Sequence, residues 1–177
     1  MVAAGAALAD EVGIARLTMG LLAERLGVRT PSLYKHVGGQ DDLNRRIAAL
    51  ALREAADAVG SAVQGYAGRD ALAAAARAFR AFVLEHPGRY AATIGVEPAG
   101  PDDPIAAAGE RTLAAFRAVL RGYDVPDSDT DHALRLLRSL FHGFATLQSA
   151  GGFQWSADID ESFEWLIVFT DRGLRAM

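Results

Sequence analysis

Apolar residues in this chain recur every three or four positions almost from end to end, and scarcely anywhere do they alternate. That period is the signature of amphipathic helices, and it leaves little room for strands. Met19, Leu22, Ala23 and Leu26 fall at i, i+3, i+4 and i+7 behind Thr18, a good N-cap, and Gly27 ends that stripe. Thr30 is placed to cap the next helix, with Pro31 at the tolerated first position, Leu33 and Val37 facing inward, and Gly38-Gly39 as the stop. Further helices are predicted up to Glu11, over Asp41–Ala58, Asp70–Glu85, Pro87–Tyr90, Ile105–Leu120, Asp129–Ser149 and Ile159–Arg172. The fold class is therefore all-α, with about nine helices in two unequal groups. Gly60, Gly65 and Gly68 loosen the chain between the groups, which predicts a head over 1–60 and a body over 61–177.

Composition narrows the function. Cysteine is absent, which removes disulfides, thiolate metal sites and cysteine nucleophiles. No apolar run reaches the ~20 residues of a membrane span. The opening MVAAGAALADEVG lacks a charged n-region and turns acidic at Asp10 and Glu11, so the expectation is a cytoplasmic protein without membrane attachment. The net charge of -4 hides a segregation: the charged residues between Arg16 and His36 sum to +3, whereas residue 58 onward carries 11 basic and 15 acidic side chains. A basic tip on an acidic body suits a nucleic-acid reader.

The stretch LTMGLLAERLGVRTPSLYKHVGGQDDL, Leu17 to Leu43, reads as a helix, a short turn and a second short helix. A small core of Leu22, Leu26, Val28 and Leu33 would leave Arg29, Thr30, Pro31, Ser32, Tyr34, Lys35 and His36 facing outward. Thr30 and Ser32 can reach base edges or phosphates, and the Pro31 ring can press on a thymine methyl. Tyr34, Lys35 and His36 are natural phosphate partners, and the amide groups at the helix starts near Thr18 and Thr30 can hold phosphate oxygens.

These residues resemble a known signature. Thr18, Leu22-Ala23, Leu26-Gly27-Val28, Ser32-Leu33-Tyr34, His36-Val37 and Asp42-Leu43 together are similar to the N-terminal motif of the tetracycline-repressor (TetR) family of bacterial transcriptional regulators. The resemblance implies a three-helix DNA-binding head, a linking helix, a homodimer and a palindromic operator in double-stranded DNA. It also implies Thr30, Pro31, Ser32 and Tyr34 as groove residues, with Thr18, Lys35 and His36 on the backbone. Members usually carry a basic arm ahead of the first helix; here no basic residue precedes Arg16, so the expectation is reduced affinity and salt dependence if the chain is complete, the alternative being a trimmed or misassigned start. Farther along, Leu136–Phe153 and Glu161–Leu174 resemble a subgroup of TetR C-terminal domains with a His-Gly pair, matched by His142-Gly143.

Helices apolar on two faces must be buried on both. Leu134, Leu137, Phe141 and Phe144 occupy one face of the helix from Asp129, and Leu136, Leu140, Gly143 and Leu147 another. Phe163 to Phe169 is apolar except at Glu164. The expected dimer interface is Leu136, Leu140, Gly143, Leu147, Phe163, Leu166 and Ile167, a four-helix arrangement in which Gly143 and Ser139 permit close backbone approach. A buried pair inside one larger core is the alternative. A mostly apolar pocket for a small-molecule effector is expected among Phe79, Phe82, Tyr90, Phe116, Phe141 and His142.

Catalysis finds little support. None of His36, His86, His132 and His142 lies at metal-binding spacing from another. There is no GxSxG, Walker loop or dinucleotide fingerprint, and the alternating Asp127, Asp129 and Asp131 lack the glycine and closing glutamate of a calcium loop. No catalytic residue, metal site or cofactor is predicted. The competing readings are a helical enzyme or carrier and a TetR-like partner module that no longer binds DNA.

Overall fold

Glycines with positive φ, at Gly13 (84°), Gly27 (65°), Gly39 (134°) and Gly65 (80°), separate the first helices where the periodicity breaks. A computed structural model describes residues 1–177. It contains α1 (Val2–Val12), α2 (Met19–Arg25), α3 (Thr30–Leu33), α4 (Gln40–Ala62), α5 (Gly68–Glu85), α6 (Pro87–Ala91), α7 (Pro104–Leu120), α8 (Thr130–Ser149) and α9 (Ile159–Arg175), with short 3-10 turns at Ile14–Arg16 and Asp127–Asp129. The all-helical class is as expected. No helix is long and apolar enough to cross a membrane. The helix expected to fade near Ala58 runs on to Ala62, because a lone Gly60 costs a helix only about 1 kcal/mol relative to alanine.

The chain divides into a unit of residues 1–54 and 85–110 and a unit of residues 55–84 and 111–177. Residues 85–110 fall in the first unit because of α6. A Cβ on Gly88 would sit 1.8 Å from the carbonyl oxygen of Ala9, so the backbones of α6 and α1 touch where only glycine fits. Asp10 reinforces the junction by accepting from the Arg89 amide at 2.7 Å and from its Nε at 2.8 Å, while Arg89 Nη1 donates to Glu54 at 2.8 Å. These bonds hold α6 against α1 and α4.

The first unit packs around Leu8, Leu17, Met19, Leu22, Leu33, Val37, Leu43 and Ile47. The second is aromatic. Phe116 lies edge-on to Phe79 at 6.1 Å and tilted against Phe141 at 6.2 Å. Phe144 meets Phe163 at 4.9 Å, and the Arg80 guanidinium covers the Phe163 ring at 4.7 Å. Tyr123 donates to the buried side of Asp171 at 2.8 Å, and a Cβ on Gly122 would lie 2.3 Å from the Gly68 amide nitrogen. That second close backbone approach anchors the start of α5 to the end of α7.

Candidate nucleic-acid interface

Thr18 begins the interface. Its hydroxyl accepts from the Leu21 amide at 3.1 Å and caps α2. At the other end Gly27 and Val28 close a Schellman turn: the Gly27 amide donates to Glu24 O and the Val28 amide to Ala23 O, both at 3.0 Å. This fixes a sharp reversal before α3. There the reading of Thr30 as a cap needs correction. Arg29 occupies the cap position without a side-chain bond, Thr30 is the first helical residue, and Ser32 N–H closes the turn on Arg29 O at 2.9 Å. Pro31 has no N–H to satisfy, so the turn needs no threonine acceptor. The Thr30 hydroxyl stays half-exposed on the surface.

Leu33 and Val37 are buried, at 3% and 2% exposure, and they pin the segment to the core. Between and around them Arg29, Pro31, Ser32, Tyr34, Lys35 and His36 are all exposed, Tyr34 at 56%. Arg25 is tied to Glu11 at 2.9 Å, whereas Arg29 and Lys35 have no acidic partner. Two of the residues expected in the small core are not there. Leu26 and Val28 are exposed at 37% and 44%, because the Schellman turn swings them outward, and Leu17, Met19, Val37 and Leu43 fill the space instead. After the segment, Asp42 accepts from the Gly38 amide at 2.8 Å and pairs with Arg46 at 3.0 Å. Arg46 and the Gly38 amide hold its carboxyl below the usual range. The exposed row is thus clamped at both ends, by Gly27 and by Asp42.

Of the expected pocket residues, Phe79, Phe82, Phe116, Phe141 and His142 lie in the second unit and Tyr90 in the first. Phe79, Phe116 and Phe141 fill one another's space as a packed aromatic core. His142 is half-buried, and that burial, with the Arg138 cation adding to it, pushes its imidazole below its ordinary pKa. The first unit has an open cleft of about 820 Å³ between the start of α1, α4 and residues 99–105. The second has a hollow of about 200 Å³ beside Phe144, Phe153 and Trp155.

The predicted dimer face also needs correcting. Phe163 and Ile167 are buried within the single chain, at 0% and 1%, so neither is available to a partner. They belong to the inward stripe Phe163, Ile167, Thr170, Leu174 of α9. The outward aromatic pair is Trp165 and Phe169, exposed at 68% and 60% and stacked on each other at 5.4 Å. Leu136 and Leu147 of α8 are likewise open, Leu140 and Leu166 half-buried, and a Cβ on Gly143 would meet nothing within 4 Å. The i, i+4 spacing of Trp165 and Phe169, offset from Phe163 and Ile167, was the available signal.

A sequence model described as "Bacterial regulatory proteins, tetR family" matches residues 1–47, and one described as "Tetracyclin repressor-like, C-terminal domain" matches residues 72–170. An uncharacterized HTH-type transcriptional regulator of Mycobacterium tuberculosis, Rv0681, is 35% identical over 94% of this chain and 73% of its own length. Among solved structures, BioQ with its natural double-stranded DNA operator superposes with a TM-score of 0.68 at 26% identity, covering 99% of this chain and 96% of that one. A TetR variant from Acinetobacter baumannii AYE in complex with minocycline superposes with a TM-score of 0.70 at 25% identity, covering 97% and 92%.

Proposed function

The chain belongs to the tetR family of bacterial transcriptional regulators, and from that premise we propose that it is a ligand-responsive repressor that binds a palindromic operator as a homodimer. One observation carries the reading: Arg29 to His36 present polar and cationic tips to solvent while Leu33 and Val37 lock the same turn to the core. Thr30, Pro31, Ser32 and Tyr34 read base edges and shape, and Thr18, Arg29, Lys35 and His36 hold phosphates. The operator-bound structure of BioQ supports this orientation, since it spans nearly the whole of this chain. Repression follows from occupancy of a promoter, and such a protein works in the cytoplasm, where the DNA is; regulation, not catalysis, is its role.

Dimerisation places two such segments on successive major grooves, about 34–36 Å apart. The outward faces of α8 and α9, with Leu136, Leu140, Gly143, Leu147, Trp165, Leu166 and Phe169, are the proposed seam. An exposed stacked indole and benzyl ring is costly to leave in water and is relieved by a self-complementary partner. His142-Gly143 at that seam supports the His-Gly subgroup of C-terminal domains. A small effector favours a spacing of the two heads that misfits the operator, through a differential affinity typically of about 1–3 kcal/mol. The minocycline complex of the TetR variant supports effector binding in this fold.

Mobility-shift titration against the DNA upstream of its own gene, at low and at roughly fourfold higher salt, tests the reading. Sequence-selective binding that weakens with salt is expected. Equal affinity for scrambled DNA, or none for any promoter fragment, would end it.

A further inference from the structure

The open cleft of the first unit has a physical character that operator reading does not use. Its walls are the start of α1 at Val2, one face of α4 at Ala49 and Leu50, and the loop with Pro101 and Ile105. Its volume of about 820 Å³ lies in the range of small-molecule sites, roughly 300–1,000 Å³. The lining is apolar apart from six charged side chains, and five of those are accounted for. Asp103 is held by the amides of Ala99 and Ile105 at 2.8 and 2.9 Å and by Arg45, which also donates to Glu97 O at 3.1 Å. Arg46 is paired with Asp42. Asp102 borders the loop, where water solvates it. Arg53 remains, half-buried against the apolar wall and without an ion pair or hydrogen bond.

A half-buried arginine without an ion pair or hydrogen bond is an incomplete charge pair. The chemistry that completes it is a planar carboxylate, which its fork can bind in bidentate fashion, and the neighbouring wall asks for a hydrocarbon body on the same molecule. We propose that this cleft binds a small amphipathic carboxylate, with Arg53 on the carboxylate and Leu50, Pro101 and Ile105 on its apolar part. Binding there bears on the DNA-reading segment through α4. The cleft residues Asp42 and Arg46 form the clamp on Gly38, two residues before α4 and directly after the exposed row. Occupancy therefore changes operator affinity, a consequence that rests on the regulatory reading; the binding itself does not.

Calorimetric titration of the full chain with decanoate, and with uncharged decanamide, tests the site without DNA. Decanoate is expected to bind one-to-one, and decanamide about tenfold more weakly, since it cannot form the hydrogen bonds between opposite charges. Arg53→Gln should weaken decanoate by a similar factor and leave decanamide unchanged. Pro101→Trp, on an exposed loop position where folding is not at stake, should obstruct both. No heat with decanoate, equal affinity of Arg53→Gln and the unaltered chain, or indifference to Pro101→Trp would each overturn the site. A parallel operator titration with and without decanoate reports the coupling. An unchanged operator affinity there would overturn the coupling alone, with the binding result standing.

Discussion

Between Arg29 and His36 the first unit leaves a phenol, an imidazole, an ammonium and a guanidinium in water; along α8 and α9 the second leaves an indole, a benzyl ring and two leucines. Both surfaces are pinned by buried stripes, but their chemistry differs. Polar, cationic tips are complementary to a polyanion that stays hydrated, whereas stacked aromatics are stable only against another apolar surface. Under the proposed function, one set of helices would carry two partner classes, sorted by which residues are spared from the core.

The sharpest way to break the comparison is to unmake one scaffold. Gly88→Val puts side-chain atoms inside the Ala9 carbonyl, 1.8 Å from a Cβ, and should cost the first unit on the order of 3 kcal/mol or more, seen as a large drop in melting temperature. Gly143→Ala, where a Cβ meets nothing, should leave the fold as stable as before or gain about 0.5–1 kcal/mol from helix propensity. Equal melting temperatures for Gly88→Val and the unaltered chain would refute the close packing of α6 on α1.

Charging the apolar surface separates the partners next. Trp165→Glu should convert the proposed dimer to a folded monomer by light scattering, with operator affinity falling as a result, because the residue is 68% exposed in the chain and contributes little to its own core. A dimer of unchanged mass would move the seam elsewhere. On the polar surface the effect is smaller. Lys35→Ala should flatten the slope of log affinity against log salt by about 0.9 for each phosphate that the variant no longer neutralises, one in each subunit. An unchanged slope would take Lys35 off the backbone.

The smallest effect is acid sensitivity. Asp42 is lowered by Arg46 and the Gly38 amide, and Glu164 by Arg77. Groups with depressed folded pKa values stabilise the fold above the unfolded carboxylate range near about 4 and lose that contribution as the pH falls through their folded values. The melting temperature should slip slightly from about pH 7 to 5, as the unfolded chain protonates His142 first, and decline further below about 4. Because these pairs are exposed, the decline should be modest.

Local signals were legible in the sequence wherever the physics is local. Thr18, Gly27, Gly39 and the Leu33–Val37 pair define α2, α3 and their surroundings through capping and period, and the structure has them there. What failed was long-range. Periodicity marks Phe163, Ile167, Trp165 and Phe169 alike as apolar, and only the packing of α9 decides which two turn inward. Leu26 and Val28 look like core until the Schellman turn redirects them. The packing of α6 on α1 is likewise hidden, because no sequence pattern announces that Gly88 must meet Ala9, far away along the chain. Phe79, Phe116 and Phe141 stack into one aromatic group, which periodicity alone does not announce. The cleft beside Arg53 left no motif, since its walls come from three separated segments.

The claim on which the rest depends is that the exposed face from Thr30 to His36 reads DNA, and Tyr34→Ala tests it most directly. Tyr34 is 56% exposed, so its removal should leave melting temperature and dimer mass unchanged. Fluorescence anisotropy on the operator should show the affinity reduced by tenfold or more, about 1–3 kcal/mol of binding energy per subunit. Undiminished operator affinity in a folded Tyr34→Ala dimer would contradict the account.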